Sequence, residues 1–141
     1  MNLVPVVERL KVETDVFDEI EGAVAFAELA DRLQVEKALF IIPVGETAGR
    51  NTLSVGSVRQ PMRFTFGAVI GLQAHGVVTE ADADALHPLR RAVREALIGW
   101  QHPDSDGIAT ATGGRLITID PNRVLWWQDE FEIPWTYYDH V

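Results

Sequence analysis

Cysteine is absent from this sequence, which removes disulfides, thiolate nucleophiles and thiolate metal sites together. No apolar run approaches the roughly 20 residues that a membrane-crossing helix needs. The opening residues, Met1 to Glu8, lack a basic segment followed by an apolar one, so a soluble chain made without an export signal is expected. Cations are scarce: 12 Lys and Arg stand against 21 Asp and Glu, a net charge of -9. Such a chain is a poor general binder of nucleic acid, because affinity for phosphate comes from Lys and Arg that displace counterions.

Signatures of catalysis are missing as well. Neither a Gly-x-x-x-x-Gly-Lys-Ser/Thr loop nor a Gly-x-Gly-x-x-Gly turn occurs, which removes the usual handles of nucleotide chemistry. Gly113-Gly114 reads instead as a turn before a strand at Leu116. His75, His87, His102 and His140 lie on separate segments without the i, i+4 spacing of paired imidazole ligands, so no metal site is expected. His75 and His102 fall near element ends, where exposed or capping roles are expected. Ser54, Ser57 and Ser105 lack a nucleophile-elbow context. Glu130 and Glu132 would share one strand face with no third group converging on them, so a solvated or interface edge is expected there rather than an acid–base pair. No catalytic residue and no cofactor is expected.

What is present describes a folding domain. At 141 residues, with 47% apolar and 23% charged residues, one domain spanning 1–141 is expected, burying roughly 70% of its unfolded surface. Pro5 near a first turn and apolar Leu3, Val6, Val7 and Leu10 predict a short helix over Asn2 to Val12. A short strand is expected over Val16 to Glu21, then a helix from Ala25 to Leu33. The unbroken apolar run Ala38 to Val44 is the best candidate for a central strand covered on both faces. Gly45 to Gly56 reads as an extended loop or mobile arm.

From Met62 to Leu72 apolar residues alternate with Arg63, Thr65, Gly67 and Gly71, which predicts a long strand with one buried face and a second face flat enough for close approach. Leu86, Leu89, Val93, Leu97 and Trp100 align on one side of a helix, placed to begin near His87 or to kink at Pro88. A hairpin is expected over Leu116 to Asp120, a Pro121-Asn122 turn, and Val124 onward to Tyr138. Trp126, Trp127, Phe131 and Trp135 supply core area, or alternatively a subunit interface, where Trp, Tyr and Arg are enriched. Three helices and about six strands predict an α/β or α+β domain with a mixed or largely antiparallel sheet covered on one face by helices.

The linear order of fragments carries a resemblance. Ile20-Glu21-Gly22-Ala23 leads into a helix and the strand ending Ile42-Pro43-Val44-Gly45-Glu46; Asn51-Thr52-Leu53, Val58-Arg59-Gln60 and Thr65-Phe66-Gly67-Ala68-Val69 follow, then the helix Leu89 to Trp100 and the block Leu125 to Phe131. Over nearly the whole chain this order resembles the phage tail terminator family. Pro88 departs from the pattern.

The resemblance implies a structural virion protein that caps the head-proximal end of the tail tube as a homo-hexameric ring and stops tube growth. It implies contact with the tail tube protein and with head-completion or connector proteins, and no role at a membrane. Another neck component, and less readily a small acid–base hydrolase, are the alternatives. A closed ring needs two different complementary patches on each subunit. Arg50, Asn51, Arg59 and Arg63 are the candidates for one, and the edge carrying Trp127, Glu130, Glu132 and Trp135 for the other. Genome DNA would pass through the ring without specific binding, repelled by an acidic lumen.

Overall fold

The alternation through Met62 and Leu72 becomes the middle of the sheet. The computed structural model of the protein describes residues 1–29, 33–53, 55–120 and 123–140. In chain order these contain α1 (Val4–Glu13), β1 (Glu19–Gly22), α2 (Ala23–Leu29), β2 (Lys37–Ala48), β3 (Ser57–Gln73), α3 (Glu80–Leu97), β4 (Thr110–Ile119) and β5 (Val124–His140). The strands form one open sheet in the order β1-β2-β3-β5-β4. β1 runs parallel to β2, and every other neighbouring pair is antiparallel. The class is the expected α+β with a mixed sheet, built from five strands among the described residues rather than about six. β3, not β2, is the middle strand.

Strand residues of alternate parity face opposite sides. Leu39, Phe66, Ile70 and Phe131 look to one side, where Val6 and Leu10 of α1 and Leu89 and Val93 of α3 cover them. Phe40, Val69 and Trp126 look to the other, where Phe26 and Leu29 of α2 pack. The helices therefore do not all lie on one face, as the sequence suggested. A parallel β1–β2 pair requires a crossover, and α2, as that crossover, packs back onto the sheet face away from the other two helices. Coverage from both sides explains why Ala38 to Ile41 are all buried.

Close packing on the α2 face depends on Gly71. A Cβ there would lie 2.7 Å from the Trp126 ring and 3.2 Å from Leu33, so the flat face expected from the glycines is filled by an indole. Gly71→Ala is expected to lower stability by about 1–3 kcal/mol, since a packed core resists an added methyl. Urea unfolding would read this as a lower midpoint with an unchanged slope, and an unaltered midpoint would count against the packing account.

Of the two starts the sequence allowed for α3, the structure takes the earlier one, with the helix running from Glu80 through Pro88. The Asp82 carboxylate accepts the backbone N–H of Thr79 at 2.8 Å, satisfying a donor at the helix start. Pro88 then sits inside the helix. Its missing N–H leaves the Asp84 carbonyl without its helical partner, but both residues are exposed, so water can take the bond. Buried Leu86, Leu89, Val93 and Leu97 hold the helix to the sheet.

The glycine pair and His102 also differ from expectation, while His75 is exposed as expected. Gly113 and Gly114 lie within β4, opposite Glu130 and Asp129, and not in a turn. His102 is buried: its Nε2 donates to the Asn2 carbonyl at 2.7 Å, and its Nδ1 accepts the N–H of Asp104 at 3.0 Å, partners that fix the Nε2–H tautomer. His75 is exposed, with Nε2 2.8 Å from the Glu36 carboxylate. The expected Pro121-Asn122 turn lies outside the described residues, as does Ser54. So does part of the Ala25 to Leu33 helix, whose described portion starts earlier, at Ala23.

Candidate assembly surface

β3 and β5 are paired from Ser57 opposite His140 to Gln73 opposite Val124, at 17 residues each a span of roughly 50 Å. The helices cover only the inner part. β1 meets β2 through Ile41, and beyond a register shift between Pro43 and Gly45 the outer segments of β2, β3 and β5 continue as a three-stranded tongue. Most of its residues are exposed or half-buried.

The tongue holds most of the residues singled out from sequence. Arg63 reaches Glu132 at 3.4 Å, and Arg59 pairs across the ladder with Tyr138. The Trp135 indole donates to the Glu46 carboxylate at 2.8 Å. At the tip, Asn51 Oδ1 accepts the N–H groups of Leu53 (3.1 Å) and Arg59 (2.9 Å), while its amide donates to the Ser57 carbonyl at 3.1 Å. Arg59 Nε donates to the Thr52 hydroxyl at 2.9 Å. Gly45 to Ala48 are strand, and Gly49 N–H donates to the Pro61 carbonyl at 2.7 Å. The mobile arm expected over Gly45 to Gly56 is thus a short, internally bonded tip. Arg50 is exposed on it.

Trp127 and Glu130 lie elsewhere, on the inner half of β5. That half is not an edge, because β4 pairs with it through Glu132; β5 lacks this neighbour only from Ile133 onward. Glu130 accepts from the Gln128 amide at 2.9 Å. Trp127 lies under the Arg90 guanidinium, 4.2 Å from the ring centroid, and its indole donates to Asp129 Oδ1 at 3.0 Å.

Asp129 is the buried centre of this group. Arg90 donates to its carboxylate from Nε and Nη2 at 3.0–3.3 Å, and Arg94 lies 3.9 Å away. A Cβ at Gly114 would overlap Asp129 Oδ1, so glycine in β4 makes room for the carboxylate. In the sequence, Asp129 alternates with the apolar Trp127, Phe131, Ile133 and Trp135 as the acid of that face, and Arg90 stands close to Arg91 and Arg94. A lone acid in an apolar register was the signal that a cation must come from elsewhere in the fold.

At one end of the sheet, all ten residues of β4 are exposed, including Leu116, Ile117 and Ile119. A cleft of about 520 Å³ separates this strand from α3, walled by Leu86, Leu116, Ile119, Leu125 and Trp127. At the other end, a cleft of about 450 Å³ between α1 and β1 is walled by Leu3, Val4, Val7 and Ile41. Among the described residues no three His, Asp or Glu groups gather as a metal site would require, and no helix is long and apolar enough to cross a membrane.

The family model described as Phage tail terminator protein matches residues 1–137. The chain belongs to the phage tail terminator family. No curated protein matches it. Membership places it among the structural proteins of the phage tail and makes it a virion component. Among the described residues, the fold of this tail terminator offers several surfaces: a tongue, two clefts with apolar walls, and the two end strands of the sheet. Sequence reasoning found the tongue's residues but not the β4 edge or the clefts. Leu116, Ile117 and Ile119 read as an ordinary strand, and nothing local tells that no neighbour covers it.

Proposed function

We propose that this tail terminator closes as a six-fold ring on the head-proximal end of the tail tube, stops tube polymerisation and presents a surface to head-completion or connector proteins. The observation that carries the reading is the family match over residues 1–137. The open sheet supports it, because a ring built from one kind of subunit needs two different exposed patches on each copy. The tongue is the proposed tube or subunit contact, through Arg50, Asn51, Arg59, Arg63, Glu132 and Trp135. Trp127 and Glu130 contribute from the inner half of β5 by holding that strand in place. Binding is the whole activity, without substrate turnover or cofactor. With a net charge of -9, a lumen lined by carboxylates would let genome DNA pass without holding it.

Arg50→Glu together with Arg59→Glu is expected to abolish end-capping of polymerised tail tubes seen by negative-stain microscopy, with the circular dichroism spectrum unchanged. Both side chains are exposed, so the fold should tolerate them. Capping by the double variant at the wild-type level would remove the tip from the contact. A wild-type chain that ignores tube ends but binds the connector would be a different neck component.

A further inference from the structure

Resting on the reading that copies of this chain associate head to tail, we infer that the two open ends of the sheet form the contact: β4 of one copy pairs with β1 of the next, continuing the sheet from subunit to subunit. β4 is the exposed partner. Its ten residues contain no proline and one charge, Arg115. Register shifts between Ala111 and Gly113 and between Leu116 and Thr118 interrupt its ladder with β5, and as the last strand of the sheet it leaves an outer row of backbone groups for another strand. Leu116 stands at 52%, Ile117 at 43% and Ile119 at 50% exposure.

The two edges complement each other face by face. On β4, Leu116 is opposite Trp127 and so lies on the α1/α3 side, while Arg115 is opposite Gln128 and lies on the α2 side. On β1, Ile20 is opposite Leu39 on the α1/α3 side and is buried. The apolar surface open at this end is that of Leu3, Val4 and Val7 in the cleft between α1 and β1, which Glu8, Lys11 and Glu21 also line. Glu19 and Glu21 are opposite Ala38 and Phe40, on the α2 side. Joining β4 to the next β1 therefore brings Leu116 and Ile119 toward Leu3, Val4 and Val7 of the next copy on one face. On the other face it sets Arg115 against Glu19 and Glu21, none of which has an ion-pair partner among the described residues.

Strand direction agrees. Three antiparallel steps and one parallel step separate β4 from β1, so a continued sheet makes the junction antiparallel, the commoner pairing. The alternative, β4 against β4 of a second copy, is a two-fold contact that leaves the acidic β1 edge unmatched and cannot propagate around a ring.

The test is a concentration series of the full chain by sedimentation and native mass spectrometry, for wild type, Arg115→Glu, Leu116→Glu, Glu19→Arg/Glu21→Arg, and Arg115→Glu combined with Glu19→Arg/Glu21→Arg. Wild type is expected to associate into closed species. Each of the first three variants should weaken that association by about tenfold or more, as loss of a close interfacial charge pair or apolar contact does, while keeping its circular dichroism spectrum. The combined charge swap should recover most of the loss. Association of Arg115→Glu and Leu116→Glu at the wild-type level, or a swap that restores nothing, would overturn the edge contact and leave the capping role standing. A wild type that stays monomeric yet caps tubes would do the same. Charge-swappable rings that never seat on tube ends would keep the edge contact and sink the capping role instead.

Discussion

Replacing Asp129 with alanine is expected to cost about 2–4 kcal/mol of folding stability, because it leaves the half-buried Arg90 guanidinium without its counter-charge. The carboxylate is 2% exposed and the Arg90 side chain 20%, so water cannot fully replace the lost partner. The same change frees the Trp127 indole N–H, which donates to Asp129. Against a total of roughly 5–15 kcal/mol for a domain of this kind, this is a large fraction. It should appear as a strongly lowered urea midpoint, with β5 amides exchanging faster. The informative control is Arg90→Met with Asp129→Leu: apolar replacement of both charges often restores what removal of one loses. Asp129→Ala at wild-type stability would show that the pair contributes nothing, and that Gly114 is not kept clear for its sake.

Trp126→Ala is expected to remove about 3–5 kcal/mol, the usual cost of deleting a buried aromatic side chain, and to do so unevenly. The Trp126 ring packs edge-on against Phe26 of α2 at 5.7 Å and beside Phe40 at 6.3 Å, over the space that Gly71 leaves. α2 is described over seven residues, with no acid in its first turn and no base in its last. A helix that short does not persist without tertiary packing. Hydrogen exchange should therefore show α2 and β1 losing protection before α3 does. Trp126→Phe should lose less, keeping the ring contacts but giving up the indole bond to Asp120 at 3.1 Å. Equal loss of protection across all three helices would mean that α2 does not depend on this contact.

Much of the architecture was legible because it rests on local periodicity. Alternation over Met62 to Leu72 and the one-sided apolar stripe of Leu86, Leu89, Val93 and Leu97 each specify an element through contacts that neighbouring residues repeat. The both-faces-buried stretch of β2 followed from its unbroken apolar run for the same reason. The acidic excess was likewise a property of the chain as written, and the order of its fragments carried the family.

Tertiary structure decided what depends on residues distant in sequence. Gly113-Gly114 looks like a turn until Asp129 needs the space beside it, and Asp129 looks misplaced until Arg90 reaches it from α3. His102 can be buried because the Asn2 carbonyl, a hundred residues away in sequence, accepts a hydrogen bond from its Nε2–H. Strand order is similarly non-local: only pairing shows that β5 lies between β3 and β4, that Arg63 meets Glu132, and that β4 is left as an open edge. A periodic segment states which of its faces is apolar, but which element covers that face, or leaves it bare for a partner, is set by long-range packing.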